Sequence, residues 1–232
     1  MKAYETVNAW AVKELGSPYA WGGTGQQCTP YYRTTLMKQY PARSADMKRE
    51  CQVHKSGGRI TTCEGCKYKG KRLYDCAQLV RNALKMIGET APSGATSLWK
   101  KDTLWSYKGK IEEGNFEKIK NTPCVVFRMS EDKKMAHVGI NTGVGEIIEA
   151  MSTGFGVVRG DFKGPPRFTH YAIPAAYEIE GDREEAGIIP LSFGARGNET
   201  MKVQSQLVSL GYALPKFGAD GKFGAETQAA VF

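Results

Sequence analysis

Apolar residues recur at helical spacing over the first fifteen positions. Ala3, Val7, Trp10, Ala11 and Leu15 share one face, and Gly16 follows as a stop. A second face of the same period runs through Ala77, Val80, Leu84 and Ile87 and ends at Gly88. Between them, residues 28–70 read as an insertion with few aliphatic side chains: Leu36, Met37, Met47, Val53 and Ile60. Such a segment is not expected to build a core of its own. Residues 91–99 read as a turn entering a short helix, and 101–121, polar and Lys-rich, as surface connections. Beyond them the period changes. Residues 123–128, 135–140, 146–150, 156–159 and 171–173 read as strands separated by hairpin-length turns. Helices first and strands later predict an α+β domain over residues 1–178 with an antiparallel sheet packed on helices. Residues 179–193 read as a charged, Gly- and Pro-containing linker. Residues 194–232 read as a small helical module: a run from Thr200 to Leu210, a glycine-rich turn at 218–224, and a helix start at 226–231.

Charge adds a partner class. With 32 Lys and Arg against 24 Asp and Glu the chain carries +8, and its pI is near 9.1. That suits a polyanion: nucleic acid, an anionic membrane or an acidic bacterial wall. The basic residues are scattered apart from 67–72, and no helix-turn-helix or RNA-binding signature accompanies them, so nucleic acid is not expected. The first residues show no signal-peptide pattern, and no run is long enough to span a membrane. Synthesis in the cytoplasm, no membrane insertion and a monomer are the expectations.

Six cysteines in such a chain argue for metal or catalysis before disulfides. Cys76 stands at the start of the second helical face, in Tyr74-Asp75-Cys76-Ala77-Gln78-Leu79-Val80. In a first helical turn the free N–H groups favour an anion, which would lower the thiol pKa. A buried cysteine packing as a small hydrophobe is the alternative, and Cys124, inside an apolar strand, is read that way. A nucleophilic thiol needs a base. His54 lies in the insertion and His170 near the end of the domain. His137 lies on a predicted strand between Ala136 and Val138, where the sheet would hold its ring. The loop Gly16-Ser17-Pro18-Tyr19-Ala20-Trp21-Gly22-Gly23 holds two aromatics, either as packing or as one wall of a cleft.

The insertion also holds Cys28, Cys51, Cys63 and Cys66, the last two as a C-x₂-C knuckle around Gly65. Four thiolates on a structural Zn²⁺ would order a segment otherwise short of apolar area, with His54 able to replace one sulfur. Two disulfides or free thiols are the alternatives. No cofactor is expected for catalysis.

Three blocks together resemble the NlpC/P60 family of papain-like cysteine peptidases: Gly16 to Gly23, Tyr74 to Val80, and Ala136-His137-Val138-Gly139-Ile140, in family order and interrupted by the cysteine insertion. The resemblance covers roughly residues 1–178. It implies a papain-like fold, Cys76 as nucleophile and His137 as base. The third polar position, commonly histidine in the family, matches Glu149. A carboxylate there suits acceptance of the imidazole Nδ1–H and is also found in the related CHAP amidase/peptidases. A solvent-facing strand residue is the alternative for Glu149. Asp75 and Tyr19 are implied to bind substrate, with Trp21 beside them, although a helix cap and ring packing explain the first two equally well. The implied substrate is peptidoglycan, cut most often between D-γ-glutamate and a diamino acid. An N-acetylmuramoyl-L-alanine amidase of CHAP type, a non-catalytic wall-binding protein and an acyltransferase are the competing readings. The last forty residues resemble part of a peptidoglycan-binding helical domain, through Val203-Gln204, Leu207, Leu210-Gly211-Tyr212 and 218–224. That layout is the one of a phage or prophage endolysin, which acts on the wall after release.

Overall fold

The computed structural model describes residues 1–163, 167–177 and 193–231. Its centre is an antiparallel sheet of strand order β3-β8-β4-β5-β6-β7. These strands are β3 (Trp105–Lys110), β4 (Cys124–Met129), β5 (Met135–Asn141), β6 (Glu146–Ser152), β7 (Gly156–Asp161) and β8 (His170–Pro174). Helix α1 (Ala3–Lys13) and helix α5 (Cys76–Lys85) pack on one another, and α5 lies across β5 and β6. This is the expected α+β arrangement. Five strands fall where the period of two placed them. Alternation is weak in the central ones because β4 and β8 lie in mid-sheet and bury both faces: Cys124 to Phe127 and all five residues of β8 are buried.

The edge strand β3 corrects the reading of residues 101–121 as surface connections. Trp105 and Tyr107 are buried and pair with β8. Lys108, the residue that makes the stretch look exposed, is also buried. Its ammonium pairs with Asp102, donates to the Trp99 carbonyl at 2.8 Å and lies 4.8 Å from the Trp99 ring centre. A lysine stem covers apolar surface while its head finds partners. Helices α6 (Ala95–Lys100) and α7 (Phe116–Lys120) flank this strand in the chain. The outer edge of β3 is covered as well. Arg196 bridges Lys108 on one side and Lys222 on the other, and Ala195 and Phe223 join the main core. Helix α8 (Asn198–Ser209) contacts β3, and α9 (Ala225–Val231) contacts α8, near the expected bounds of the C-terminal module. The expected linker lies, but for Phe193, outside the described residues.

The insertion differs from its expectation more sharply. It folds into α2 (Pro30–Gln39), α3 (Ser44–Glu50) and α4 (Gln52–Lys55), bounded by the ribbon of β1 (Thr24–Gln27) and β2 (Arg72–Tyr74). A satellite core does exist there. Cys28, Tyr32, Leu36, Met47 and Tyr68 close around Ala20 and Leu73 of the main domain. A count of aliphatics missed it because much of its apolar area comes from tyrosine and thiol groups and is shared across the domain boundary. The insertion also grips the loop before β1. Gly22 has φ +78° and a Cβ there would lie 2.2 Å from the Tyr40 ring, while Arg43 sits 4.9 Å from the centre of the Trp21 ring. Gly22→Ala is therefore expected to break this clamp. Limited proteolysis should then cut residues 40–60 several-fold faster while the sheet resists; unchanged cleavage would contradict the clamp.

Candidate active site

Helix α5 begins at Cys76 because Asp75 caps it: the Asp75 carboxylate accepts from the Gln78 N–H at 2.8 Å. Burial pushes the Asp75 carboxyl up, against the backbone N–H groups of Gln78, Gly22 and Ala77 that pull it down. The expected depression of the Cys76 thiol is not found. Burial first, and then the Asp75 charge, push it up to about 12, outweighing the N–H groups of Val138, Ala77 and Cys76. A thiol in that state reacts only if a base takes its proton as it attacks. The Val138 amide that reaches the sulfur belongs to β5, one residue from His137.

His137 and Glu149, two of the residues the resemblance names, are brought together. The His137 Nε2 lies 2.6 Å from a Glu149 carboxylate oxygen, and both side chains are buried, Glu149 to 1% exposure. The solvent-facing alternative for Glu149 is excluded. One detail is corrected: the ring nitrogen that meets the carboxylate is Nε2, not Nδ1. Donation of Nε2–H to Glu149 holds the tautomer whose Nδ1 carries the free lone pair.

Two residues of this site went unnoticed in the sequence. Arg167 pairs with the second Glu149 oxygen, so the buried carboxylate is shared between an imidazole and a guanidinium. Phe168 stacks on the His137 ring at 6.1 Å and 24°, and the Arg167 guanidinium carbon lies 5.4 Å from the Phe168 ring centre. Two glycines make room. A Cβ at Gly139 would lie 3.3 Å from the Glu149 Cβ, and one at Gly160 would lie 3.2 Å from an Arg167 nitrogen. Gly139 was visible within its block; Gly160, between two charged residues, was the signal available for the Arg167 pocket.

The other histidines are occupied elsewhere. Burial, then the Lys110 charge, push His170 down to about 4, and its Nδ1 lies 2.8 Å from the Thr169 hydroxyl. His54 Nε2 lies 3.1 Å from the Thr34 hydroxyl and 3.2 Å from the Pro30 carbonyl. Tyr19 is buried, its hydroxyl pushed up by burial and by the charges of Cys76 and Asp75 nearby. Trp21 and Asp75 line a cleft of about 520 Å³, with Gln78, Ser93 and Gly94 beyond them. Its opposite wall is α2 of the insertion, presenting Tyr31, Tyr32, Thr35 and Gln39. So the insertion lines the same cleft as Asp75, the residue before Cys76, which its cysteine content did not suggest. Cys28, Cys51, Cys63 and Cys66 are free thiols. Among the described residues no group of three or more His, Cys, Asp or Glu side chains is set around a metal position.

No family model matches the sequence. A probable N-acetylmuramoyl-L-alanine amidase from Bacillus licheniformis is 50% identical over 46 residues, which is 20% of this chain and 13% of that protein. Among solved structures, the P60 domain of antigen MAP1204 from M. avium subspecies paratuberculosis is 16% identical over 74% of this chain and 93% of that one, with a TM-score of 0.42. The NlpC/p60 domain of the peptidoglycan hydrolase SagA is 17% identical over 73% and 97%, also at 0.42. RipD from Mycobacterium tuberculosis, a non-catalytic NlpC/p60 domain protein adapted to peptidoglycan binding, is 14% identical over 75% and 97%, again at 0.42. Likeness at these scores decides neither mechanism nor substrate.

Two outcomes are expected of this geometry. Iodoacetamide near neutral pH should label Cys76 before the wholly buried Cys124, and His137→Ala should slow the labelling of Cys76; equal rates at the two thiols would contradict the assignment. Removing one member of a buried charge cluster strands the others, at a cost of about 3–5 kcal/mol. Arg167→Met should thus lower the melting temperature, and less so when combined with Glu149→Gln, because the double variant leaves no stranded charge.

Proposed function

We propose that this chain is a peptidoglycan hydrolase of NlpC/P60 type that cuts stem-peptide amide bonds by thiol catalysis. The observation that carries the reading is the buried His137–Glu149 pair on adjacent strands, one residue from the Val138 N–H that reaches the sulfur of Cys76 at the start of α5. A non-catalytic wall-binding protein has no need to bury a carboxylate against an imidazole next to a thiol.

The reaction follows from the tautomer. His137 Nδ1 takes the thiol proton as sulfur attacks the carbonyl carbon of the scissile amide. Negative charge moves to the carbonyl oxygen, where N–H groups of the first turn of α5 oppose it. Glu149 stabilises the imidazolium. Collapse of the tetrahedral intermediate breaks the C–N bond, and Nδ1–H protonates the departing amine. Water then attacks the thioester with His137 again as base, releasing the acid and restoring the thiol. Asp75 and Trp21 line the cleft that receives the substrate, and Tyr19 packs beside the sulfur. Within this reading the bond cut is D-γ-glutamyl–diamino acid, no cofactor takes part, and the C-terminal segment assists contact with the wall. Among the described residues no helix is long and apolar enough to cross a membrane.

Digestion of purified sacculi followed by mass analysis tests the proposal. A freed amino group on the diamino acid is the expected product. Glycan strands freed from stems beginning with L-alanine would instead identify an amidase, and no product at any loading would overturn the hydrolase reading. Cys76→Ala and His137→Ala are expected to lower turnover by about a thousandfold or more, and Glu149→Gln by about 10- to 100-fold, since the base still reaches the sulfur part of the time.

A further inference from the structure

The insertion buries a charge that its surroundings do not balance. Arg33, on α2, is 1% exposed. Its Nε donates to Cys28 Sγ at 3.2 Å and one terminal nitrogen donates to the Met47 carbonyl at 3.3 Å. The Tyr68 ring centre lies 5.7 Å from its guanidinium carbon. The other terminal nitrogen is buried with no hydrogen-bond partner, and no carboxylate pairs with Arg33 among the described residues. A guanidinium does not shed its proton in a protein. An uncompensated one in the interior costs several kcal/mol, so a counter-charge is called for.

The side chain that meets Arg33 is a sulfur: Cys28 accepts its hydrogen bond. Cys28 belongs to the satellite core, Cys66 packs against that core, and Cys51 is buried at the end of α3. The knuckle is tied to this place by a neighbour of Cys51: Gln52 donates to the Thr62 carbonyl at 3.0 Å and to the Glu64 carbonyl at 2.9 Å, one on each side of Cys63. Cys66 follows through a tight turn, its N–H on the Cys63 carbonyl at 3.1 Å with Gly65 at φ +70°.

We propose that Cys28, Cys51, Cys63 and Cys66 form a structural tetrathiolate site for a soft divalent cation, zinc by ligand type, with Arg33 as the outer partner that balances its charge. Four neutral thiols offer Arg33 no counter-charge. Loss of their four protons on binding one Zn²⁺ leaves a site of net charge −2, with sulfur acceptors for a guanidinium. Four protein ligands leave no position for water, so the site orders the insertion and takes no part in the chemistry at Cys76. The four thiols are not yet grouped around one point. The half-buried Cys63 and Cys66 sit on the glycine turn, and binding requires them to rotate inward there. His54 Nε2 is taken up by Thr34 and Pro30, so that nitrogen is not offered to the site.

Elemental analysis of the full chain, expressed with zinc and purified without chelator, tests this independently of any hydrolase activity. One zinc per chain is expected. After exchange to Co²⁺, thiolate-to-cobalt charge-transfer bands and the visible bands of a tetrahedral site should appear. Cys63→Ser, on an accessible turn, should lose the metal and make residues 40–60 more sensitive to protease. Arg33→Met should weaken retention against a competing chelator by about tenfold or more, the usual effect of removing an outer partner. Retention of metal by Arg33→Met at the wild-type level would overturn the role of Arg33. A metal-free protein would overturn the site itself, whether its four thiols titrate freely or its mass reveals two disulfides.

Discussion

The carboxylate of Glu149 is the constraint on which the site depends. It lies in the sheet almost without solvent, and a buried anion is tolerated only where its oxygens are all used. One oxygen meets the His137 ring and the other the Arg167 guanidinium. From this follow the ring tautomer, the stacking of Phe168 on His137, and the absence of side chains at Gly139 and Gly160 beside the carboxylate. Arg167 and Phe168 thereby hold the His137–Glu149 pair in place.

Burial acts in opposite directions on the two halves of the reaction centre. It fixes His137 and Glu149, but it also disfavours the charged form of Cys76 strongly enough to defeat the first-turn N–H groups of α5. Under the proposed reaction such a thiol needs a base placed to take its proton as it attacks. The cap adds to this, because the Asp75 charge that starts the helix also opposes a thiolate beside it.

The insertion serves this centre from outside. Its helix α2 forms a wall of the cleft, and Tyr40 and Arg43 hold the Gly-rich loop that carries Trp21. The same helix carries Arg33 inward onto Cys28, so the cleft wall and this buried contact are two faces of one short element.

Much of this was legible in the chain. The period of 3.6 located α1 and α5, the period of two located five strands, and Cys76, His137 and Glu149 were singled out by the family resemblance that three short blocks carry. What was not legible depended on distant partners. Lys108 looks like surface until Asp102 and the Trp99 carbonyl satisfy it. Tyr32, Met47 and Tyr68 become a core only when Ala20 and Leu73 complete it. Arg167 reads as a loop cation until the register of β6 and β7 brings Glu149 and Gly160 against it. The sequence by itself determined where α1, α5 and five of the strands lie and which residue types are on hand for chemistry, because those properties are set by spacing and residue type. Only the tertiary structure decided which ring nitrogen faces the carboxylate, how the thiol titrates and what stands across the cleft, because each is set by burial and by groups far away along the chain.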